Sequence, residues 1–311
     1  MNRPMVSVIV VTYNHESYIG QCLEGILSQK TNFPIEIILG EDQSTDGTRK
    51  VCQKYAEEYP DIIRLFLRDR KDVIYINGNP TGRFNFIENL KESKGKYIAL
   101  CDGDDYWTDP LKLQKQVDFL ESNTDYAICF HEAKIQWEQR KNYTEFLYNS
   151  DFPWNAMSPE KDVYGISDVI KGSFMATNTV VFRKELMPEL PKWYEQIQSG
   201  DMALYALITG NNKIKFLNEV MATYRRHEGG VSRTHRTNAI LINRLMLLKY
   251  IDSYYKGAYR EIVIGTAASY INQLQHLSAK ELLTLWKLKL SSKILKLGPM
   301  IKLTQKKIKS L

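Results

Sequence analysis

Cysteine is scarce in this chain. It holds four in 311 residues, at positions 22, 52, 101 and 129, widely spaced and never as a C-x-x-C pair. That spacing argues against a disulfide or zinc scaffold and for buried free thiols in a reducing compartment, the cytosol. No run approaches 18 apolar residues, so a membrane-spanning helix is not expected. The opening Met1-Asn2-Arg3-Pro4 passes directly into a strand-like run and lacks the charged, apolar and cleavage regions of a signal peptide. No G-x-G-x-x-G follows the first strand, which weakens a dinucleotide reading, and no G-x-x-x-x-G-K-[ST] occurs, which removes a P-loop. The pyrophosphate of a bound nucleotide would therefore depend on a metal ion and basic side chains. Internal repeats and low-complexity linkers are also missing.

With 43% apolar residues, the chain can bury a substantial core. Its formal charge of +6 is unevenly placed, since residues 281–311 hold eight lysines against one acidic residue, Glu281. The basic excess belongs to that tail, and the body has no general polyanion-binding composition, so nucleic acid is not an expected partner. In the tail, Leu282, Leu283, Leu285, Trp286, Leu288 and Leu290 are interleaved with Lys287, Lys289, Lys293 and Lys296. A tryptophan-containing, lysine-rich amphipathic segment fits an anionic membrane surface, and packing of its apolar stripe on the body or on a partner subunit is the alternative.

The chain is organised around Lys96-Tyr97-Ile98-Ala99-Leu100-Cys101-Asp102-Gly103-Asp104-Asp105-Tyr106-Trp107-Thr108-Asp109-Pro110. A short apolar run ending in three carboxylates reads as a buried strand that delivers them to the rim of a sheet, where open α/β sheets bind ligands. Like charges so close together are costly in a cleft unless a cation sits between them, and oxygen ligands suit Mg²⁺ or Mn²⁺. A solvated acidic loop is the bland alternative. Before this stretch, strands are expected at Met5 to Thr12, Ile35 to Leu39 and Ile62 to Leu67. Helices follow them at about 17–28, capped by Asn14 or Ser17, at 48–59, and up to Glu92, the alternation of a doubly wound α/β unit. After it come a helix from Pro110 to about Leu120, a strand at Tyr126 to His131, strand character from Phe174 to Arg183, and a helix opening at Gly200-Asp201. Two short strands, Ile214 to Leu217 and Val220 to Tyr224, precede helices at about 238–255, 258–276 and 279–290. Between Lys134 and Lys171 periodicity fails and aromatics are scattered among polar residues, as in a lid or binding loop.

Several exits from these strands carry candidate chemistry, each with an ordinary structural alternative. Tyr13 is a nucleotide platform or a packing aromatic; Asp42 can accept from a base or sugar, while Ser44-Thr45-Asp46-Gly47 reads mainly as a turn and helix cap. Of His131, His227 and His235, His227 is the best ligand candidate, since neighbouring Arg225, Arg226, Gly229 and Gly230 suit a diphosphate; otherwise this is a basic surface loop. Asp201, in a first helical turn, is a base only if it reaches an acceptor hydroxyl, and otherwise a carboxylate at a helix N-terminus.

Taken in order, four pieces resemble the inverting glycosyltransferases of family 2, which have the GT-A fold. They are Val8-Ile9-Val10-Val11-Thr12-Tyr13-Asn14, Glu41-Asp42-Gln43-Ser44-Thr45-Asp46-Gly47-Thr48, the 95–107 stretch ending in Asp102-Gly103-Asp104-Asp105-Tyr106-Trp107, and Tyr224-Arg225-Arg226-His227-Glu228-Gly229-Gly230-Val231-Ser232. The resemblance implies a doubly wound, mostly parallel sheet flanked by helices, with a helical C-terminal appendage. It implies a catalytic domain over 1–237, divided into a nucleotide-sugar half at about 1–131 and an acceptor half at about 132–237, followed by a helical, membrane-facing region at 238–311. It places Thr12, Tyr13 and Asp42 on a nucleoside that is commonly uridine. Asp102 and Gly103 would face ribose and metal, Asp104 would be the direct ligand of Mn²⁺ or Mg²⁺, and His227 would complete the metal or diphosphate site. Arg83 would lie near the nucleotide or phosphates. Asp201 would be the base; members often carry Glu-Asp where this chain has Gly200-Asp201, and Glu195 and Glu185 are the alternatives.

The expected reaction is metal-dependent transfer of a sugar, with inversion, from a UDP-linked donor to a hydroxyl of a saccharide or lipid-linked glycan, on the cytoplasmic face of the inner membrane. A sugar-phosphate nucleotidyltransferase is the competing enzyme, though Thr12-Tyr13-Asn14-His15 supplies no glycine-rich triphosphate loop. A non-catalytic sugar-nucleotide or glycan-binding subunit with a degenerate transferase fold is the third reading.

Overall fold

A computed structural model of the protein describes residues 3–138, 144–146, 161–172, 174–227, 238–274 and 277–287. The first half alternates as the sequence predicts: β1 (Val6–Thr12), α1 (Ile19–Leu27), β2 (Ile35–Glu41), α2 (Thr48–Glu58) and β3 (Ile63–Leu67). A small hairpin of β4 (Tyr75–Ile76) and β5 (Asn79–Pro80) leads into α3 (Arg83–Glu92), β6 (Tyr97–Leu100), β7 (Tyr106–Trp107) and α4 (Lys112–Ser122). The second half runs β8 (Tyr126–Trp137), β9 (Thr144–Phe146), β10 (Val163–Tyr164), α5 (Ile166–Lys171), β11 (Val181–Arg183), α6 (Gly200–Thr209) and β12 (Lys213–Arg226). It closes with α7 (Asn238–Tyr254), α8 (Arg260–Asn272) and α9 (Ala279–Lys287).

One large sheet runs β10-β12-β8-β11-β6-β1-β2-β3, with β7 paired to β12 and β9 to β8. The β6-β1-β2-β3 half is parallel, β11 is antiparallel to both β6 and β8, and β12 is parallel to β8. This is the mostly parallel, helix-flanked sheet of a GT-A doubly wound fold. Residues 6–10 of β1 are all buried, because helices cover both faces of a central parallel strand. Two asparagines of α3 serve that packing: Asn85 donates to Gly40 O at 2.9 Å and Asn89 to Val10 O at 3.0 Å, tying the helix to β2 and β1.

Three local expectations are corrected. Neither Asn14 nor Ser17 caps α1: Tyr18 occupies that position without a side-chain bond, and Asn14 takes a left-handed turn with φ 55°. Packing suffices instead, since Ile19, Cys22, Leu23 and Ile26 are fully buried and each such apolar side chain contributes roughly 1.5–3 kcal/mol, more than a typical cap. Strand β8 continues six residues past His131, with Ala133 and Ile135 buried and Lys134 and Gln136 exposed, and the two short strands expected after it are one bulged strand, β12. Phe174 to Arg183 is a strand only at β11, preceded by a 3₁₀ turn at Thr177–Thr179.

Helices α7 and α8 pack on the body. Leu241, Leu245, Leu248 and Ile251 join the common core, Tyr255 Oη donates to Ala206 O at 2.7 Å, and Tyr270 Oη donates to Lys171 O at 3.1 Å. All four cysteines are free and buried, as expected. Among the described residues no helix is long and apolar enough to cross a membrane. His235, much of the 134–171 region, residues 228–232 and the lysine-rich tail beyond Lys287 lie outside the described residues.

Candidate active site

Three strand exits converge at one rim. The carboxylate turn after β6 lies directly on the exit of β1, where Gly103 N donates to Val11 O at 3.0 Å. A Cβ at Gly103 would stand 2.7 Å from Thr12 Oγ1 and 3.1 Å from His15 Nδ1, so only glycine allows this approach. The end of β12 arrives from the other side. Arg225 N donates to Asp105 Oδ1 at 2.8 Å, the Arg225 guanidinium donates to Asp104 O at 2.8 Å and Gln21 Oε1 at 2.5 Å, and it lies between the rings of Tyr18 and Tyr106.

This lattice corrects the grouping of three carboxylates around one cation. Asp105 is 1% exposed and turned toward the β12 backbone; burial and the neighbouring Asp104 push its carboxyl well above the ordinary range. Asp104 instead meets two imidazoles. His227 Nε2 lies 3.0 Å from Asp104 Oδ2, His15 Nε2 lies 3.9 Å from the same oxygen, and the three residues offer ligand atoms within 4.8 Å of one another. Burial opposes the charge on Asp104, but the hydrogen bond from His227 and the charges of both imidazoles outweigh it and hold the carboxyl below its ordinary value. Burial pulls the pKa of His15 below its ordinary value, against the opposing pull of Asp104, and its Nδ1 is buried without a partner. Two imidazole nitrogens and one carboxylate oxygen in such a cluster fit a divalent metal ion. Tyr18 packs on His227 at 4.7 Å between ring centroids and donates to Glu138, which fixes the ring.

Asp102 lies beside this cluster. Burial first, then the charges of Asp104 and Asp201, push it up to about 7, while a bond from Thr177 pulls the other way. Asp201 stands in the first turn of α6, near enough to Asp102 for its charge to act on that carboxyl. Glu195 and Glu185 are exposed, and Glu185 faces Arg183 at 3.9 Å.

On the β1/β2 side, Thr12 Oγ1 and Asp42 Oδ1 are buried without partners. Asp42 Oδ2 pairs with Arg70 at 2.9 Å, and the Arg70 guanidinium lies 4.0 Å from the centre of the Tyr13 ring. Asp46 accepts from Thr48 N at 3.0 Å and from Glu16 N at 3.2 Å, in line with the turn reading of that piece, while Gly47 holds the N-cap position of α2 without a side-chain bond. Arg83 was expected near the nucleotide or phosphates. Its guanidinium donates to Ile197 O at 2.9 Å and lies 4.5 Å over the Tyr194 ring, at the entry to α6.

His131 is a core residue: it is fully buried within β8, and burial and the nearby Lys112 hold it well below its ordinary value. His15 and Arg70 are the functional candidates that the sequence reading did not select. His15 follows Thr12-Tyr13-Asn14 at the exit of the central strand, and that position was the available signal.

Residues 7–187 match the family described as Glycosyl transferase family 2. An uncharacterized protein of Mycobacterium tuberculosis is 34% identical over 226 residues, covering 73% of this chain and 60% of its own length, so the chain spans about three fifths of that relative. The UDP-Glc:alpha-D-GlcNAc-diphosphoundecaprenol beta-1,3-glucosyltransferase WfaP of Escherichia coli is 29% identical over 233 residues, covering 73% of this chain and 80% of WfaP. Among solved structures, residues 1–349 of S. aureus TarS in complex with UDP-GlcNAc superimpose with a TM-score of 0.64 at 17% identity, over 97% of this chain and 87% of that one, a likeness of fold.

Proposed function

The chain belongs to glycosyl transferase family 2, and on that premise we propose that it transfers a sugar, with inversion, from a nucleoside diphosphate donor to a hydroxyl of a saccharide or lipid-linked glycan. The observation that carries this reading is the meeting of His15, Asp104 and His227 in one ligand cluster, beside an Asp102 that feels the charge of Asp201.

His15, Asp104 and His227 would hold the ion, and the mixed nitrogen and oxygen donors favour Mn²⁺ over Mg²⁺. A divalent ion there supplies positive charge for the departing diphosphate. Asp102 and Gly103 line the ribose side of the same turn. Asp42 has an oxygen free to accept a base N–H, and Arg70 beside it can donate to a base carbonyl. Uracil presents an N–H flanked by carbonyls, so this pair supports a UDP-linked donor, with Thr12 and Tyr13 completing the nucleoside site. Asp201 takes the proton from the acceptor hydroxyl as that oxygen attacks the anomeric carbon opposite the diphosphate. A single displacement turns an α-linked donor into a β-linked product.

We assign this chemistry to residues 1–237. After them come α7, α8 and α9, and the lysine-rich sequence at 281–311 would hold the enzyme on an anionic cytoplasmic membrane face, where lipid-linked acceptors are found. Vesicles containing anionic lipid should retain the full chain and release a chain ending at residue 280; equal retention of both would return the tail to a packing role.

The test of the reaction is a hydrolysis screen of purified protein with UDP- and GDP-linked sugars, with Mn²⁺, Mg²⁺ or chelator, followed by acceptor trials on the donor that responds. Metal-dependent release of UDP from one sugar nucleotide supports the reading. Binding of UDP-sugars without hydrolysis or transfer to any acceptor would favour a non-catalytic subunit.

A further inference from the structure

We infer that Arg83 is a positioning residue that sets where Asp201 stands, occupying the space left by the missing side chain of Gly200. The inference rests on the reading of Asp201 as base.

Three observations carry it. Arg83 opens α3, which Asn85 and Asn89 pin to the carbonyls of β2 and β1 at 2.9 and 3.0 Å, so its guanidinium projects from a rigid base. Its Nη2 donates to the carbonyl of Ile197 at 2.9 Å and lies 3.4 Å from that of Gln198, while the guanidinium stacks over Tyr194 at 4.5 Å. From the opposite side, Asn243 of α7 accepts from Gln198 N at 2.8 Å. The strand of backbone entering α6 is thus held from two helices, and Asp201 stands in the first turn beyond it.

Gly200 completes the arrangement. A Cβ there would lie 1.6 Å from Arg83 Nη1 and 2.1 Å from Cζ, so a side chain at 200 and the guanidinium cannot share the space. Moving the guanidinium aside would break charge-assisted bonds to two carbonyls, and a lysine could not reproduce the planar fork and the ring stacking together. Arg83 Nε is buried without a partner, which the guanidinium tolerates because its other contacts fix it in place.

The experiment compares R83A, R83K, G200A and the R83A/G200A double variant of the full chain, with D201N in parallel. Hydrogen exchange of the 197–203 amides, UDP affinity in the presence of Mn²⁺, and kcat and KM for the sugar nucleotide found by the screen are measured. R83A and G200A should each speed exchange at 197–203 by tenfold or more and lower kcat by 10- to 100-fold, with R83K between them and the wild type. UDP affinity and KM should stay within about twofold, and the double variant should be no worse than the poorer single one. A tenfold loss of UDP affinity in R83A with kcat preserved would make Arg83 a nucleotide ligand and overturn the inference. Unchanged exchange in R83A, or independent and multiplying effects of R83A and G200A, would overturn it too. If D201N keeps full turnover, the base reading fails, whereas the exchange and coupling results still decide whether Arg83 holds this segment.

Discussion

His227, at the end of β12, brings Nε2 to 3.0 Å from Asp104 Oδ2 in the turn after β6. The two are 123 residues apart in sequence and meet because β12 runs alongside β8 and captures the turn through Arg225. Replacing Asp104 by Ala should abolish Mn²⁺ binding, measured by titration calorimetry, and lower turnover by roughly three orders of magnitude while the fold stays intact by circular dichroism. Chelator should reproduce the loss of turnover in the wild type. A D104A protein with wild-type Mn²⁺ affinity would remove the metal role from this turn.

His15 makes a sharper test, because burial disfavours a charge on its ring and its Nδ1 lacks a partner. H15A should weaken Mn²⁺ binding by at least the roughly 10- to 100-fold typical of losing a group that only orients a ligand. In the electron spin echo spectrum of the Mn²⁺-loaded protein, nitrogen modulation should fall on going from wild type to H15A. Identical modulation would mean that His15 packs on the site without ligating.

Asp105 is structural, and its two substitutions should part company. D105A strands the buried Arg225 N–H, which should cost about 1–3 kcal/mol in urea unfolding. D105N keeps the accepting oxygen and removes a carboxyl that already resists ionisation, so it should cost clearly less than D105A. Equal losses from both would show that the charge of Asp105 is needed.

The parallel core and the acidic turn were legible because β-branched runs and abrupt carboxylates are local signals. The place of His15 in the cluster was not, since nothing near residue 15 records that Asp104 and His227 will be its neighbours. The reach of β8 and β12 was half visible: Ala133 and Ile135 alternate with Lys134 and Gln136, but the strand direction is fixed by pairing with a partner far along the chain. The roles of Arg83 and Gly200 were hidden for the same reason, as a missing side chain at one site makes room for a guanidinium at another. Helix α1 shows the opposite failure, where good capping residues stood ready and packing made them unnecessary.

Lys112 gives a pH dependence unrelated to catalysis. It is fully buried, donates to Gln116 Oε1 at 2.8 Å and lies 4.0 Å over the Trp107 ring, and burial pushes it down to about 7. The folded chain therefore holds fewer protons than the unfolded one between about pH 7 and the ordinary lysine value of ~10.4, so this group adds stability as pH rises through that window. Below it, the buried charge carries its full cost. K112M should be more stable than wild type at pH 6, by up to ~4 kcal/mol, with the gap closing toward pH 10 in urea unfolding. A gap independent of pH would show that Lys112 is charged throughout.

Replacing Asp201 by Asn should lower transfer at least 100-fold and leave UDP affinity within about twofold, as expected for loss of a proton acceptor that does not hold the nucleotide. Turnover equal to wild type would reject Asp201 as the base.

A cation held by His15, Asp104 and His227 where the diphosphate departs is the centre of the proposed reaction. Anomalous scattering at the manganese edge from crystals grown with Mn²⁺ and UDP tests this directly. One strong peak is expected in contact with Asp104 and His227, with His15 completing the protein ligands and the diphosphate on its open side. A peak elsewhere, or bound UDP with no metal between its phosphates and Asp104, would contradict it.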